Sequence, residues 1–306
     1  MSRIRAMPVV LVLLLIIGPS LFATTTVHAK RLHEERSLYS RILVTQTGTT
    51  RCLQFSVRSE QRNQSCIDTR RPRAMVFSYT RMSMSTLLFN PDPQTILVIG
   101  LGGGTLPTAF AELFPSAHID AVEIDPAVVS VAQTYFGFVP GPNLQVAIRD
   151  ARVWTKRALR QSRRYDLIIL DAFNGEYIPE HLMTLEYLEE TRQLLAEGGT
   201  LAANTFSSST LYDHESVTYA SVFGDFINFR LPESGNRVII APGVELDAST
   251  LQQRASDLQS RLRPYGVDIE AFARILIRER SAAPDWRLDA RPLTDQFSPA
   301  NLLQGP

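Results

Sequence analysis

Short apolar runs alternate with amphipathic segments along most of the chain, and their spacing predicts a layered α/β fold. Thr95–Ile99, Ile119–Ile124, Leu144–Ile148, Asp166–Leu170 and Thr200–Asn204 read as strands. Between them Leu106–Leu113, Pro126–Phe136, Ala151–Leu159 and Thr184–Leu195 carry helical spacing, and Gly198–Gly199 stops the last of these. Strands that are apolar throughout, each followed by a helix, form a parallel sheet covered on both faces. Val238–Ala241 adds a later strand of antiparallel type.

The texture before residue 90 differs. Leu38, Ile42 and Val44 mark one strand, and Leu53, Phe55 and Val57 alternate in the next, with Gly48 in the turn between them. These describe a small antiparallel β unit. Ala74–Leu88 reads as a helix closed by Asn90–Pro93. The expected organisation is therefore a β unit with a linking helix over 30–90, an α/β domain over 91–244 and a polar, partly helical tail over 245–306.

Residues 1–29 stand apart. Arg3 and Arg5 precede an apolar run from Pro8 to Ile17, and Val27–His28–Ala29 supplies a small-x-small end. This pattern predicts a secretory signal cleaved after Ala29, or an uncleaved membrane anchor. It places the protein in a bacterial periplasm or on the inner membrane. Under that condition Cys52 and Cys66, on neighbouring predicted strands, are expected to form a disulfide.

Composition changes this picture little. The 306 residues are 44% apolar and 20% charged, which excludes collagen, coiled coil and low-complexity disorder. Thirty-one basic residues balance 31 acidic ones, so there is no global drive toward nucleic acid. The five histidines are dispersed and no CxxC pair occurs, so no metal site is expected.

Candidate chemistry sits at the carboxyl ends of the predicted strands, where open α/β sheets bind ligands. The first strand runs into Gly100, Gly102, Gly103 and Gly104, which let backbone approach a ligand closely. This loop is not a GxGxxG fingerprint, because Thr105 takes its third glycine position. The second strand ends at Glu123, placed to accept from ribose hydroxyls, with Asp125 as a helix cap before Pro126. The third ends at Asp150–Ala151, where Asp150 can accept from an adenine amino group, cap the next helix, or do both. The fourth ends at Asp171. Four such ends without a pyrophosphate clamp favour S-adenosylmethionine or a relative over NAD.

At these residues the chain resembles the polyamine aminopropyltransferases, the spermidine synthase family, in a divergent bacterial branch. The likeness spans about Arg36 to Ala241. It is carried by Ile99–Leu106, Val122–Pro126, Asp150–Arg152, Leu170–Asn174 and Ile178–Leu182, with Leu293–Pro299 near the end. The resemblance implies a Rossmann-like S-adenosylmethionine-dependent transferase fold preceded by a small antiparallel unit. It implies decarboxylated S-adenosylmethionine as co-substrate, a small-molecule amine acceptor and no metal, and leaves a homodimer open. Asp171 would be the catalytic base, Glu123 the ribose ligand, and Asp150 with Ala151 the adenine ligands.

Three positions depart from the family pattern. Gly103 replaces an Asp of GGGDGG, Tyr79–Thr80–Arg81 stands for Tyr-His-Glu, and Asn174 replaces the second Asp of DxxD. Tyr79, Arg81 and Asn174 are the candidate substrate-binding residues. Losing acids there removes much of the electrostatic case for a dicationic amine. Two other functions stay open. One is an S-adenosylmethionine-dependent methyltransferase, with Arg81 a conceivable partner of the cofactor carboxylate. The other is an exported nucleoside-binding protein without catalysis.

Overall fold

A computed structural model describes residues 29–57, 60–172 and 178–297. The segment 1–28, on which the signal or anchor expectation rests, lies outside the described residues, as does Asn174.

The chain opens with five strands: β1 (Lys30–Arg36), β2 (Arg41–Thr47), β3 (Thr50–Val57), β4 (Glu60–Asp68) and β5 (Arg71–Met75). They pair antiparallel in sequence order as a meander. Leu38, expected within a strand, instead sits in the β1–β2 turn and is 96% exposed. Ile42, Val44, Leu53 and Phe55 face one side and pack against Val128, Val131 and Phe136 of the following domain. The unit is thus fixed to the flank of the site it overhangs. Arg51 adds a tie, donating from Nη1 to the Tyr135 carbonyl at 2.7 Å.

Cys52 and Cys66 are directly opposed in the β3–β4 register and form a disulfide across 14 residues of sequence. A closed loop of that size restricts the unfolded chain. Replacing both with Ser is expected to lower stability by about 3 kcal/mol in chemical denaturation. A midpoint unchanged from the native protein would show that the bridge contributes nothing.

The predicted helix over 74–88 is shorter than expected. Ala74 and Met75 complete β5, α1 covers Ser78–Ser83, and a 3-10 turn over Met84–Leu88 follows. The second sheet then contains β6 (Thr95–Ile99), β7 (His118–Glu123), β8 (Leu144–Ile148), β9 (Tyr165–Leu170) and β10 (Leu195–Phe206), with β11 (Ile227–Arg230) and β12 (Asn236–Ala241). Its order is β11-β12-β10-β9-β6-β7-β8. The five strands β10, β9, β6, β7 and β8 are parallel, and β12 and β11 join antiparallel.

Alternation within each strand explains the unbroken apolar runs. Ile96, Val98, Leu167 and Ile169 face one layer, while Leu97, Ile99, Ile168 and Leu170 face the other. The first layer contains α2 (Thr105–Leu113), α3 (Pro126–Tyr135), α7 (Ala248–Leu262) and α8 (Ile269–Arg280). The second contains α4 (Ala151–Arg160), α5 (Leu185–Gln193) and α6 (Tyr212–Phe223). The segment read as a polar tail is largely these two amphipathic helices. Leu251, Leu258, Leu262, Ile269, Phe272 and Leu276 are buried against the sheet.

The chain winds outward from β6, to β7 and β8 on one side and to β9 and β10 on the other. This reversal leaves a crevice beyond the carboxyl ends of β6 and β9. The candidate site occupies it.

Candidate active site

A cavity of about 450 Å³ lies at that crevice, roofed by the antiparallel unit. Gly100, Gly102, Glu123, Asp150, Ala151, Asp171 and Tyr79 all line it, so residues from four strand ends and α1 converge on one space. Tyr39, Ser40 and Ser65 of the roof face the same space.

The turn after β6 is built by close approach. Gly100 has φ +95°, and a Cβ there would fall 2.3 Å from the Asp171 carbonyl oxygen. Its N–H donates to Val122 O at 2.8 Å, and Asp171 N–H donates to Ile99 O at 2.7 Å. Glycine at this point lets the ends of β6, β7 and β9 meet.

Glu123 ends β7 with both carboxylate oxygens engaged. Oε2 accepts from Leu101 N–H at 3.1 Å, and Oε1 accepts from Ile124 and Asp125 N–H at 2.8 and 3.0 Å. Burial raises its pKa, while these three donors oppose the rise. Asp125 caps α3 through Ala127 N–H at 2.9 Å and accepts from Ser37 Oγ of the β1–β2 turn. Asp150 caps α4 through Val153 N–H at 2.9 Å, and its other oxygen meets His181 Nε2 at 2.8 Å. It is therefore a cap that also lines the cavity.

Asp171 is the most perturbed carboxyl in the cavity. Its Oδ1 accepts from Asn204 Nδ2 at 2.8 Å, and Tyr79 also hydrogen-bonds to it. Burial pushes its pKa up to about 7, the Asn204 and Tyr79 bonds restrain the rise, and the Glu123 charge adds to it. The same burial and the Asp171 charge push the Tyr79 hydroxyl well above its ordinary value. A carboxylate held near neutrality beside a cavity is matched to proton transfer at physiological pH.

Three glycine-loop and substrate candidates stand elsewhere. Among the described residues, the cavity wall does not include Gly103, Gly104 or Arg81. Gly103 packs beneath the roof: a Cβ there would lie 2.7 Å from Ser65 Oγ and 3.0 Å from Phe136 Cδ1. A longer acid at this position would collide with the β unit, which gives its absence a steric reason. Gly104 is the residue before α2 and is covered by Phe138, 2.5 Å from where a Cβ would stand. The Arg81 guanidinium donates to Met75 O at 3.2 Å and Ser78 Oγ at 3.1 Å, bracing its own helix against β5.

Sequence reasoning missed Asn204 and Asn236, which line the cavity beside Asp171. Asn204 carried a signal, as a polar residue ending an apolar strand in line with Asp171. Asn236 carried none, because its strand runs antiparallel from outside the βα alternation.

Comparison with known proteins agrees with this geometry. The spermine/spermidine synthase domain model matches residues 76–232. A polyamine aminopropyltransferase of Vibrio vulnificus (strain CMCP6) is 52% identical over 276 residues, covering 89% of this chain and 91% of the relative. A crystal structure of a probable spermidine synthase from Corynebacterium glutamicum aligns with TM-score 0.61 at 23% identity, over 84% of this chain and 96% of that one. Human methyltransferase-like protein 13, in complex with SAH, shares the fold at TM-score 0.52 and 22% identity, over 74% of this chain and 97% of that one.

These findings also correct the expected localisation. Among the described residues no helix is long and apolar enough to cross a membrane. The relationship to the Vibrio aminopropyltransferase extends over nearly the whole chain. Placement in the periplasm or on the inner membrane, and membrane contact with it, is withdrawn. On its domain match and its near full-length likeness to a curated relative, the chain belongs to the spermine/spermidine synthase family.

Proposed function

We propose that the protein transfers an aminopropyl group from decarboxylated S-adenosylmethionine to an amine, with Asp171 as the catalytic base. The observation that carries this reading is a partly buried carboxylate, bonded by Asn204 and Tyr79, where the ends of β6 and β9 meet and facing a cavity large enough for a nucleoside.

The chemistry asked of the chain is modest. The sulfonium already activates the adjacent methylene, so the residues have to bind, orient and deprotonate. Glu123 accepts from the ribose hydroxyls, and Asp150 with Ala151 borders the adenine. The amine nitrogen forms its bond to the methylene as the carbon–sulfur bond breaks. Methylthioadenosine departs with the bonding pair, and the proton lost by nitrogen passes to the Asp171 carboxylate. Tyr79 and Asn204, both bound to Asp171, keep that carboxylate aimed at the acceptor.

The methyltransferase alternative loses its named support, since the Arg81 guanidinium lies away from the cavity. Incubation with decarboxylated S-adenosylmethionine and a panel of short polyamines, followed for methylthioadenosine, tests the proposal. Release dependent on the amine is expected. Turnover with S-adenosylmethionine instead, or with neither, would overturn it.

The ribose assignment has its own check. Glu123→Gln sets an amide N–H₂ against backbone donors that now bond both oxygens. Methylthioadenosine affinity by calorimetry is expected to fall about 10- to 100-fold, as for loss of hydrogen bonds to a charged group. Unchanged affinity would remove Glu123 from the site.

A further inference from the structure

We propose that Asn236 is a positioning residue for Asp171, acting through the side-chain amide of Asn204. The inference rests on the reading of Asp171 as the base and adds a residue from an antiparallel strand outside the nucleoside-binding βα units.

The three side chains form a directed chain. Asn236 Nδ2 donates to Asn204 Oδ1 at 3.0 Å, and Asn204 Nδ2 donates to Asp171 Oδ1 at 2.8 Å. An amide has one end that only accepts and one that only donates. Turning Asn204 by half a rotation about its last bond would put its oxygen against the Asp171 carboxylate. Asn204 is buried, 4% exposed, so water offers that oxygen little compensation. By occupying Oδ1, Asn236 makes the productive orientation the one in which both ends are satisfied.

Asn236 is itself held. It opens β12 opposite Phe206 of β10, and its backbone N–H donates to Ser234 Oγ at 3.1 Å. The next residue, Arg237, is fully buried and bonded to Thr205, Ser216 and Glu215. The strand that presents Asn236 therefore has a fixed register beside Asn204.

The consequence is electrostatic. Among the described residues the groups acting on Asp171 are Tyr79 from α1, Glu123 from β7 and Asn204 from β10. Burial and Glu123 favour the protonated acid, while Tyr79 and Asn204 favour the carboxylate. Asn204 does so only while its nitrogen faces Asp171. Asn236 thereby helps set the pH above which the base is available.

The test reads Asp171 directly. In protein labelled with ¹³C at the aspartate carboxyls, the Asp171 signal is the one absent from Asp171→Asn, and its titration midpoint is followed by NMR. Asn236→Asp replaces the donor with an acceptor that draws the Asn204 nitrogen away. Its midpoint is expected about one unit or more above the native one. Asn236→Ala, which removes the donor without adding charge, is expected to move it upward by less. Asn236→Gln, which keeps an amide donor, is expected to return it toward the native value. Midpoints in Asn236→Asp and Asn236→Ala that coincide with the native one would overturn the inference. The reading of Asp171 as the base is judged separately: methylthioadenosine release that survives in Asp171→Asn would overturn that reading whatever the Asn236 variants show.

Discussion

Replacing Asp171 with Asn is expected to cut amine-dependent release of methylthioadenosine by about 10²- to 10⁴-fold, the usual contribution of a positioned base. The fold should survive, because the amide is close in size and its oxygen can still accept from Asn204. Stability should change with a sign opposite to that of activity. The Asp171 pKa is raised from 3.8 to about 7 by burial, so between those values the folded protein binds a proton that the unfolded chain has released. Its favourable contribution is complete below about pH 4 and is lost as pH rises through about 7. Above neutrality the native protein carries a partly desolvated charge that Asn lacks. Asp171→Asn is therefore expected to melt higher than the native protein at pH 8 and to show no such gain at pH 4. In the native enzyme, kcat/KM should rise through an apparent pKa near 7 on its acid limb. Full activity in the variant, or a variant less stable at pH 8 than at pH 4 relative to native, would contradict this account.

That prediction stands on residues of very different legibility. Asp171 was visible because it ends a run of apolar residues, and strand ends in a parallel sheet are where ligands bind. Glu123 and Asp150 were visible for the same reason. The Asp171 shift was not, since burial by the assembled fold drives it upward and the restraint on it comes from Tyr79 and Asn204, which the fold brings from 92 residues before and 33 residues after it in the chain. Arg81 shows the converse. Sequence position placed it in line with an amine-binding acid, and its guanidinium turns back to the Ser78 hydroxyl one turn earlier and to the Met75 carbonyl at the end of β5. Gly103 looked like a missing ligand, and Ser65 and Phe136 fill the space a side chain would need. The parallel sense of β6 to β10 could be read from hydrophobic runs with helices between, whereas their order in the sheet could not. β1 and β5 could not, because their exposed, charged residues carry little periodicity.

Truncating Glu215 to Ala is expected to lower stability by about 3–5 kcal/mol, the cost of leaving a buried charge without its partner. Arg237 is fully buried, and its guanidinium lies 3.9 Å from the Tyr212 ring centroid. Its Nη2 meets Glu215 at 3.1 Å, its Nη1 meets Ser216 Oγ at 2.7 Å, and its Nε meets Thr205 Oγ1 at 2.7 Å. Removing the carboxylate leaves two neutral hydroxyls, the Tyr212 carbonyl at 3.4 Å and a ring face to hold a cation in a dry interior, which they cannot offset. Pairing Glu215→Leu with Arg237→Met removes both charges and should recover most of the loss. Recovery should stop short of native by about 1 kcal/mol, because Thr205 Oγ1 then lacks its donor, whereas Ser216 keeps its bond to Tyr212 O. Denaturant midpoints for the single and double variants decide this. A single variant as stable as native would show that the pair is dispensable. A double variant no better than the single would show that packing rather than charge dominates where β12 meets α6.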